Sequence, residues 1–297
     1  PEVLDCWFES GSMPFAQFHH PFDKGKNFEK NFPSQFVAEY IAQVRTWFYY
    51  MMVLSTILFD EPPFENVVTT GTILAEDGQK MSKSRNNFTD PMILIDKYGS
   101  DALRFYLMSC SVMNAEDFNF SNKGVDEIYK KVILILYNTS KFYESVKDKE
   151  TGKKPNSKDL TDKWIISRLN EAGLKISSYL EEYNTIKACN EIKGFVDDLS
   201  TWYIRVNRDR LEENKQARET LKYALNEISK IIAPILPFTS EHIFHSLNGE
   251  KSSVHLESYP KFDKKNVDNE LISKMSIARE IVSSGLKERD KAQIGLK

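Results

Sequence analysis

From Asn122 to the end of this 297-residue chain, apolar residues recur at steps of three and four; before it they fall in short runs. A helical period and a strand period cannot serve the same segment, so this change splits the chain into an α/β part and an all-helical part. We place the division at 1–120 and 121–297. In the second part, Val125, Ile128, Val132, Ile135 and Phe142 predict a helix over 123–147. Ile165, Leu169, Ala172, Ile176, Leu180 and Tyr183 predict the next, starting at Thr161 or Asp162. Asn184 is placed to cap a third, with Ile186, Cys189, Ile192, Val196, Leu199, Tyr203 and Val206 facing inward. A fourth, over 215–233, is stopped by Pro234 and Pro237, and a short one over 240–247 ends at Asn248-Gly249. Residues 254–256 read as strand-like and 269–287 as a last helix. Antiparallel helices with short links make a bundle.

The first part alternates. A run at 67–74, rich in β-branched residues, predicts a strand buried on both faces, and 35–39 reads as a second buried strand. Between them a helix is predicted over 41–59, with Val44, Trp47, Met51, Leu54 and Leu58 on one face. Asp90 and Pro91 begin a short helix over 92–98, Gly99 stops it, and Ser100 caps another over 101–109. Residues 5–15 and 109–120 read as loops. Strand, helix and strand in succession imply a parallel sheet, whose ligands bind beyond the carboxyl ends of the strands. Glu39 lies at such an end, with Gln43 and Trp47 one and two helical turns on. A carboxylate there can pair with an ammonium group.

After the second strand, Asp77-Gly78 turns the chain, and Lys80, Met81, Ser82, Lys83 and Ser84 follow. Two lysines separated by two residues, with hydroxyl donors between and after them, suit a polyphosphate: they can clamp charge developing on a leaving pyrophosphate. A bare Lys-x-x-Lys is more often a solvated turn, but these five residues reproduce, letter for letter, the KMSKS signature of class I aminoacyl-tRNA synthetases. Residues 5–12, Asp-Cys-Trp-Phe-Glu-Ser-Gly-Ser, resemble the Asp-x-Trp-Phe-Asp-Ser-Gly-Ser stretch of the isoleucyl branch. Glu39, Gln43, Arg45, Trp47 and Phe48 align with that branch's Glu-Gly-x-Asp-Gln-x-Arg-Gly-Trp-Phe motif, with Tyr40, Ala42 and Thr46 as departures. The Ala42 departure removes a carboxylate. The bundle segments at 162–169 and 195–205 resemble the same branch's anticodon-binding domain, and the His-x-Gly-His signature of the class is absent from this chain.

The resemblance implies the second half of a Rossmann-like catalytic domain followed by a helical anticodon-binding bundle. It implies an isoleucine–tRNA ligase that uses ATP and Mg²⁺ to form the aminoacyl-adenylate and passes the acyl group to the 3′ end of its tRNA. Lys80 and Lys83 would hold the phosphates, with Lys83 acting on the transition state; Met81 would bracket the adenine, with Ser82 and Ser84 completing the ATP site. Glu39 and Gln43 would contact the adenylate, and Trp7 and Trp47 would wall the side-chain pocket. The upstream catalytic half and an editing domain are expected in the same polypeptide, of which this chain, starting at Pro1, reads as an internal piece. The alternatives are a valyl-tRNA synthetase and a non-catalytic RNA-binding module derived from a synthetase.

Composition adds limits. The net charge of −3 does not exclude RNA, because binding depends on local basic patches. Arg205, Arg208 and Arg210 form one, suited either to RNA phosphates and bases or to pairing with Asp209, Glu212 and Glu213. The charged run 148–158 reads as a mobile loop, and His19-His20 as a surface loop with no third metal ligand nearby. Cys6, Cys110 and Cys189 are far apart, which points to reduced thiols in a cytoplasmic protein without a zinc site. No apolar run reaches transmembrane length, so no membrane partner is expected.

Overall fold

The structure, a computed structural model, describes residues 2–23, 26–149 and 152–294. Contacts group them into two compact units: residues up to 89 with 107–121, and 90–106 with those from 122 onward. Residues 90–106 therefore pack with the helices.

The first unit begins with α1 (Cys6–Gly11) and α2 (Met13–Ala16), not a loop. The cause is local: the Asp5 carboxylate accepts the N–H of Trp7 (2.8 Å) and Phe8 (3.2 Å), an N-cap. After α3 (Asn27–Asn31), strand β1 (Val37–Tyr40) leads through a 3₁₀ turn, Ile41–Arg45, into α4 (Trp47–Phe59) and then β2 (Val67–Thr70). β1 and β2 pair in parallel, Val37 with Val67 through Tyr40 with Thr70, which makes β1–α4–β2 a βαβ unit.

Several expectations are corrected here. The helix over 41–59 is broken at Thr46 (φ −130°, ψ −103°), and the 3₁₀ turn before it winds more tightly than the α-helix after it. The face begun at Val44 is therefore not continued. Phe48, Met51 and Ser55 are buried, while Val44 (52%) and Leu58 (55%) are exposed. The run 67–74 is two strands, β2 and β3 (Ile73–Leu74), because the chain turns at Gly71 to approach another backbone. Gly71 donates its N–H to Val112 O (2.7 Å), and a Cβ there would lie 1.9 Å from Glu116 O. The expected loop at 109–120 contains a 3₁₀ turn and β4 (Phe118–Asn119), which pairs in parallel with β3. Nor are the strands buried on both faces: no residue of β1 or β2 is fully buried, since among the described residues each pairs only with the other. His20 is more than a loop residue, since its ring stacks on Phe28 with centroids 4.1 Å apart.

In the second unit Asp90 caps α5 (Pro91–Tyr98) by accepting Met92 N–H at 2.9 Å, and Gly99 ends it at φ +79°. α6 (Ser100–Met108) is tied to the bundle by Arg104, which donates to Pro234 O and Ile235 O, and by Asp101, which accepts Thr239 N–H. α7 (Asn122–Ile128) and α8 (Leu134–Val146) form one rod through a π-turn, Tyr129–Ile133. α9 (Leu160–Glu181) is followed by α10 (Thr185–Asp197), which Asn184 caps as expected and which runs on through a second π-turn, Asp198–Ile204. α11 (Arg208–Glu213), α12 (Lys215–Ile232), α13 (Pro237–Asn248) and α14 (Asn269–Lys291) complete the unit.

The π-turns explain the residues whose burial was misread. Each wide turn advances the chain by one extra residue, so the buried stripe shifts by one. Beyond 129–133 the core residues are Leu136 and Tyr143, not Ile135 and Phe142; beyond 198–204 Asn207 is buried and Val206 is 54% exposed. Tyr183, at φ +57° just past the end of α9, is also exposed. Residues 254–256 form a 3₁₀ turn capped by Ser253 rather than a strand.

Within the charged run 148–158, Glu150 and Thr151 lie outside the described residues, and from Gly152 the segment is hydrogen-bonded to the helical unit. Lys154 Nζ donates to Asn266 Oδ1 (2.8 Å), Gln216 Nε2 to Asn156 O (2.6 Å) and Ser157 Oγ to Asp162 Oδ2 (2.6 Å). Spacing could not reveal this, because every partner is a polar group elsewhere in the chain.

Candidate functional site

The loop carrying Lys80–Ser84 hangs from β3. Ala75 N–H donates to Gln79 O (2.8 Å), Gly78 turns at φ +78°, and Lys80 bridges back to Leu74. Lys80 and Lys83 are exposed, and no carboxylate pairs with either among the described residues. Met81 and Ser82 are half-buried, and the Ser82 and Ser84 hydroxyls lie 2.7 Å apart.

The loop's ends are clasped by Asn87, a role that the reading of the signature missed. Its Oδ1 accepts Ser82 N–H at 2.9 Å and its Nδ2 donates to Lys80 O at 3.2 Å. Arg85 adds a second brace through Gln79 Oε1 at 2.7 Å. A short polar residue closing a polar loop is a signal that could have marked Asn87. Substituting Asn87 by alanine is expected to raise the rate of tryptic cleavage between residues 80 and 85 several-fold with no change in thermal midpoint, since a local opening is made easier without touching the core. Time-resolved proteolysis followed by mass spectrometry checks this.

Glu39, Gln43, Trp47 and Trp7 belong to the same unit. Glu39 is exposed at the carboxyl end of β1, opposite Thr69 in register, and its Oε1 accepts Tyr40 N–H at 3.0 Å. Trp47 opens α4, and its indole N–H donates to Ser10 O (2.9 Å), which ties it to the end of the helix carrying Trp7. That tie depends on a close crossing: at Gly11 a Cβ would sit 2.6 Å from Tyr50 Cβ. Gln43 lies in the 3₁₀ turn, not one α-turn after Glu39, so helical spacing does not align the three side chains as expected.

In the bundle, the three arginines separate. Arg205 and Arg208 are exposed and line a cleft of about 260 Å³ with Asn138, Thr139, Phe142, Ser200 and Ile204. The Arg208 guanidinium stands 5.8 Å over the Phe142 ring, a cation–π contact. Arg210 does not join them and does not pair with Asp209, Glu212 or Glu213. It turns inward to the buried Asp162, with Nη1 donating to Oδ2 at 3.0 Å and Nη2 to Oδ1, and its Nε donates to Asn207 Oδ1 at 2.8 Å. Burial works against the charge on Arg210, and the Asp162 carboxylate more than offsets it, holding the guanidinium pKa above its ordinary value. The same carboxylate accepts the Tyr203 hydroxyl at 2.6 Å, and burial with that neighbour pushes the Tyr203 phenol well up.

Among the described residues, no three His, Cys, Asp or Glu side chains are placed to hold a metal ion. No helix among them is long and apolar enough to cross a membrane.

Residues 1–120 match the family of class I tRNA synthetases (I, L, M and V), and 162–297 match the anticodon-binding domain of tRNA ligase. The chain is 42% identical to the isoleucine–tRNA ligase of Chlamydia abortus and 38% identical to that of Treponema denticola, each over 96% of its own length. It spans only 29% and 28% of those relatives. A solved LeuRS of Agrobacterium radiobacter K84, in a ternary complex with tRNA and LeuAMS, superposes with a TM-score of 0.72 at 20% identity, over 90% of this chain and 34% of that one. At that identity the likeness speaks for the fold alone.

Proposed function

As this chain belongs to the class I aminoacyl-tRNA synthetases, we propose that it is the signature-loop and anticodon-binding portion of an isoleucine–tRNA ligase. The observation that carries this reading is the clasped Lys80–Ser84 loop, with two lysines presented to solvent that pair with no carboxylate among the described residues. In the reaction the isoleucine carboxylate attacks the α-phosphorus of ATP and the bond to pyrophosphate breaks. The tRNA's terminal ribose hydroxyl then displaces AMP from the adenylate. Lys80 and Lys83 hold the phosphates, and Lys83 meets the charge that grows on the leaving pyrophosphate. Backbone atoms around Met81 bracket the adenine, with Ser82 and Ser84 offering hydroxyls.

Glu39 takes the α-ammonium group and Gln43 an adenylate oxygen, while Trp7 and Trp47 wall the side chain. Such a pocket separates isoleucine from valine by only about 1–3 kcal/mol, so an editing domain in the remainder of the polypeptide is part of the proposal. Mg²⁺ would supply charge neutralisation on the triphosphate; the described residues offer it no protein cage, and no residue here is assigned to it. The protein would work in the cytoplasm, with its tRNA.

The test is amino-acid-dependent ATP–pyrophosphate exchange by the full polypeptide that carries this chain. Preference for isoleucine is the expected result. Preference for valine would reassign the pocket, and no exchange with any amino acid would leave an RNA-binding module.

The cleft at Arg205 and Arg208 is the proposed tRNA contact, with cations for phosphate and an aromatic face for a base. Arg208→Ala is expected to weaken tRNA binding and to lower the slope of log affinity against log salt by about 1, as for one lost phosphate contact. Filter binding across a salt series checks it, and an unchanged slope would remove Arg208 from the interface.

A further inference from the structure

Gln43 has its oxygen fully occupied within the protein. Trp47 N–H reaches Gln43 Oε1 at 3.3 Å, and the Thr46 hydroxyl also meets Oε1. A backbone N–H can only donate, so the atom facing it is the amide oxygen, and the Thr46 hydroxyl then donates to it as well. With both lone pairs of Oε1 used, Gln43 has only its NH₂ group to offer a ligand. Trp47 cannot drift from this arrangement, because its indole N–H is held by Ser10 O at 2.9 Å. Glu39, four residues before Gln43 at the end of β1, offers the opposite chemistry: a carboxylate that accepts and carries negative charge.

We propose that Thr46 is a positioning residue: its hydroxyl fixes the Gln43 amide with its NH₂ outward, so that this edge binds a ligand carrying an ammonium group for Glu39 and an oxygen acceptor for Gln43. This rests on the reading of Glu39 and Gln43 as contacts to the amino acid and its adenylate. Without the hydroxyl, the amide retains a single weak tether at 3.3 Å and can rotate about its last side-chain torsion. Its oxygen would then face the acceptor oxygen of the ligand, which costs binding rather than merely losing it. Valine at 46 keeps the shape and the branching at Cβ and removes only the hydroxyl, while serine keeps the hydroxyl.

The experiment is ATP–pyrophosphate exchange by the full polypeptide as wild type, Thr46→Val, Thr46→Ser, Gln43→Leu and the double variant Thr46→Val/Gln43→Leu. Thr46→Val is expected to raise the KM for isoleucine about tenfold, the scale of one hydrogen-bond-sized free energy, with the KM for ATP within about twofold of wild type. Thr46→Ser is expected to restore the wild-type KM. In the Gln43→Leu background Thr46→Val is expected to cost nothing further, because the group it orients is gone. An equal cost in both backgrounds, or an equal rise in both KM values, would make Thr46 merely structural and overturn the proposal while the isoleucine reading stands. No exchange by the wild type with any amino acid would overturn that reading and the proposal with it.

Discussion

Replacing Lys83 by alanine in the full polypeptide is expected to lower the rate of isoleucine activation by about 10²–10³-fold, the loss usual for one donor aimed at developing charge. The side chain is exposed and unpaired among the described residues, so its removal takes nothing from the core, and the thermal midpoint should not move. The loop around it stays closed in the variant, because Asn87 clasps the backbone at Lys80 and Ser82 rather than any atom of the Lys83 side chain. The loss should therefore appear in the rate constant of pre-steady-state adenylate formation more than in the affinity for ATP. Single-turnover quench measurements separate the two. A variant that forms adenylate at the wild-type rate would remove Lys83 from the chemistry.

Arg210→Ala is expected to destabilise the helical unit by about 3–5 kcal/mol, because it leaves a buried carboxylate without its cation. Asp162 has no exposed side-chain surface, and Arg210, 48 residues further on, supplies its two guanidinium donors. Ser157 and Tyr203 would remain as neutral donors, which satisfy the oxygens without matching the charge. Arg210→Lys keeps the charge but not the planar fork, and a smaller loss is expected. Chemical denaturation monitored by helical signal measures both. A loss of tRNA affinity at unchanged stability would reverse the assignment and return Arg210 to the RNA-facing group.

The same cluster sets a pH dependence. Burial works against the Asp159 carboxylate, yet bonds from Thr161 and the Asp162 N–H, with Arg210 nearby, hold it below the usual carboxylate range. A depressed pKa contributes stability above the unfolded value, near pH 4, and loses it as pH falls through the folded value. The part of the stability that Asp159 contributes should accordingly fade in acid.

Much of the molecule was legible where a signal is short and local. Asp90 with Pro91, Asn184 and Gly99 mark helix ends through hydrogen bonds and torsions within a few residues. The 3.6-residue period identified the bundle, and the five signature residues identified the family before any fold was known. Asp5 as the cap of α1 was equally local and was passed over because the aromatic, Gly- and Pro-containing stretch after it has no period.

What failed was phase and partnership. Burial after the two π-turns shifted by one residue, to Leu136, Tyr143 and Asn207, because one extra residue per wide turn rotates everything beyond it. Whether a helix takes that turn is decided by the packing of its far neighbours. Arg210 lay two residues from Arg208 in a basic patch, and only the fold could show that one turns inward to the buried Asp162 while the other stands over Phe142.

By itself, then, the sequence determined the kinds of element, most of their capped ends and the chemical identity of the signature loop, since each depends on residues adjacent along the chain. The tertiary structure decided which face of each helix is buried and which cations stay free for a ligand. Those depend on the dielectric and the hydrogen-bond partners that distant segments bring together.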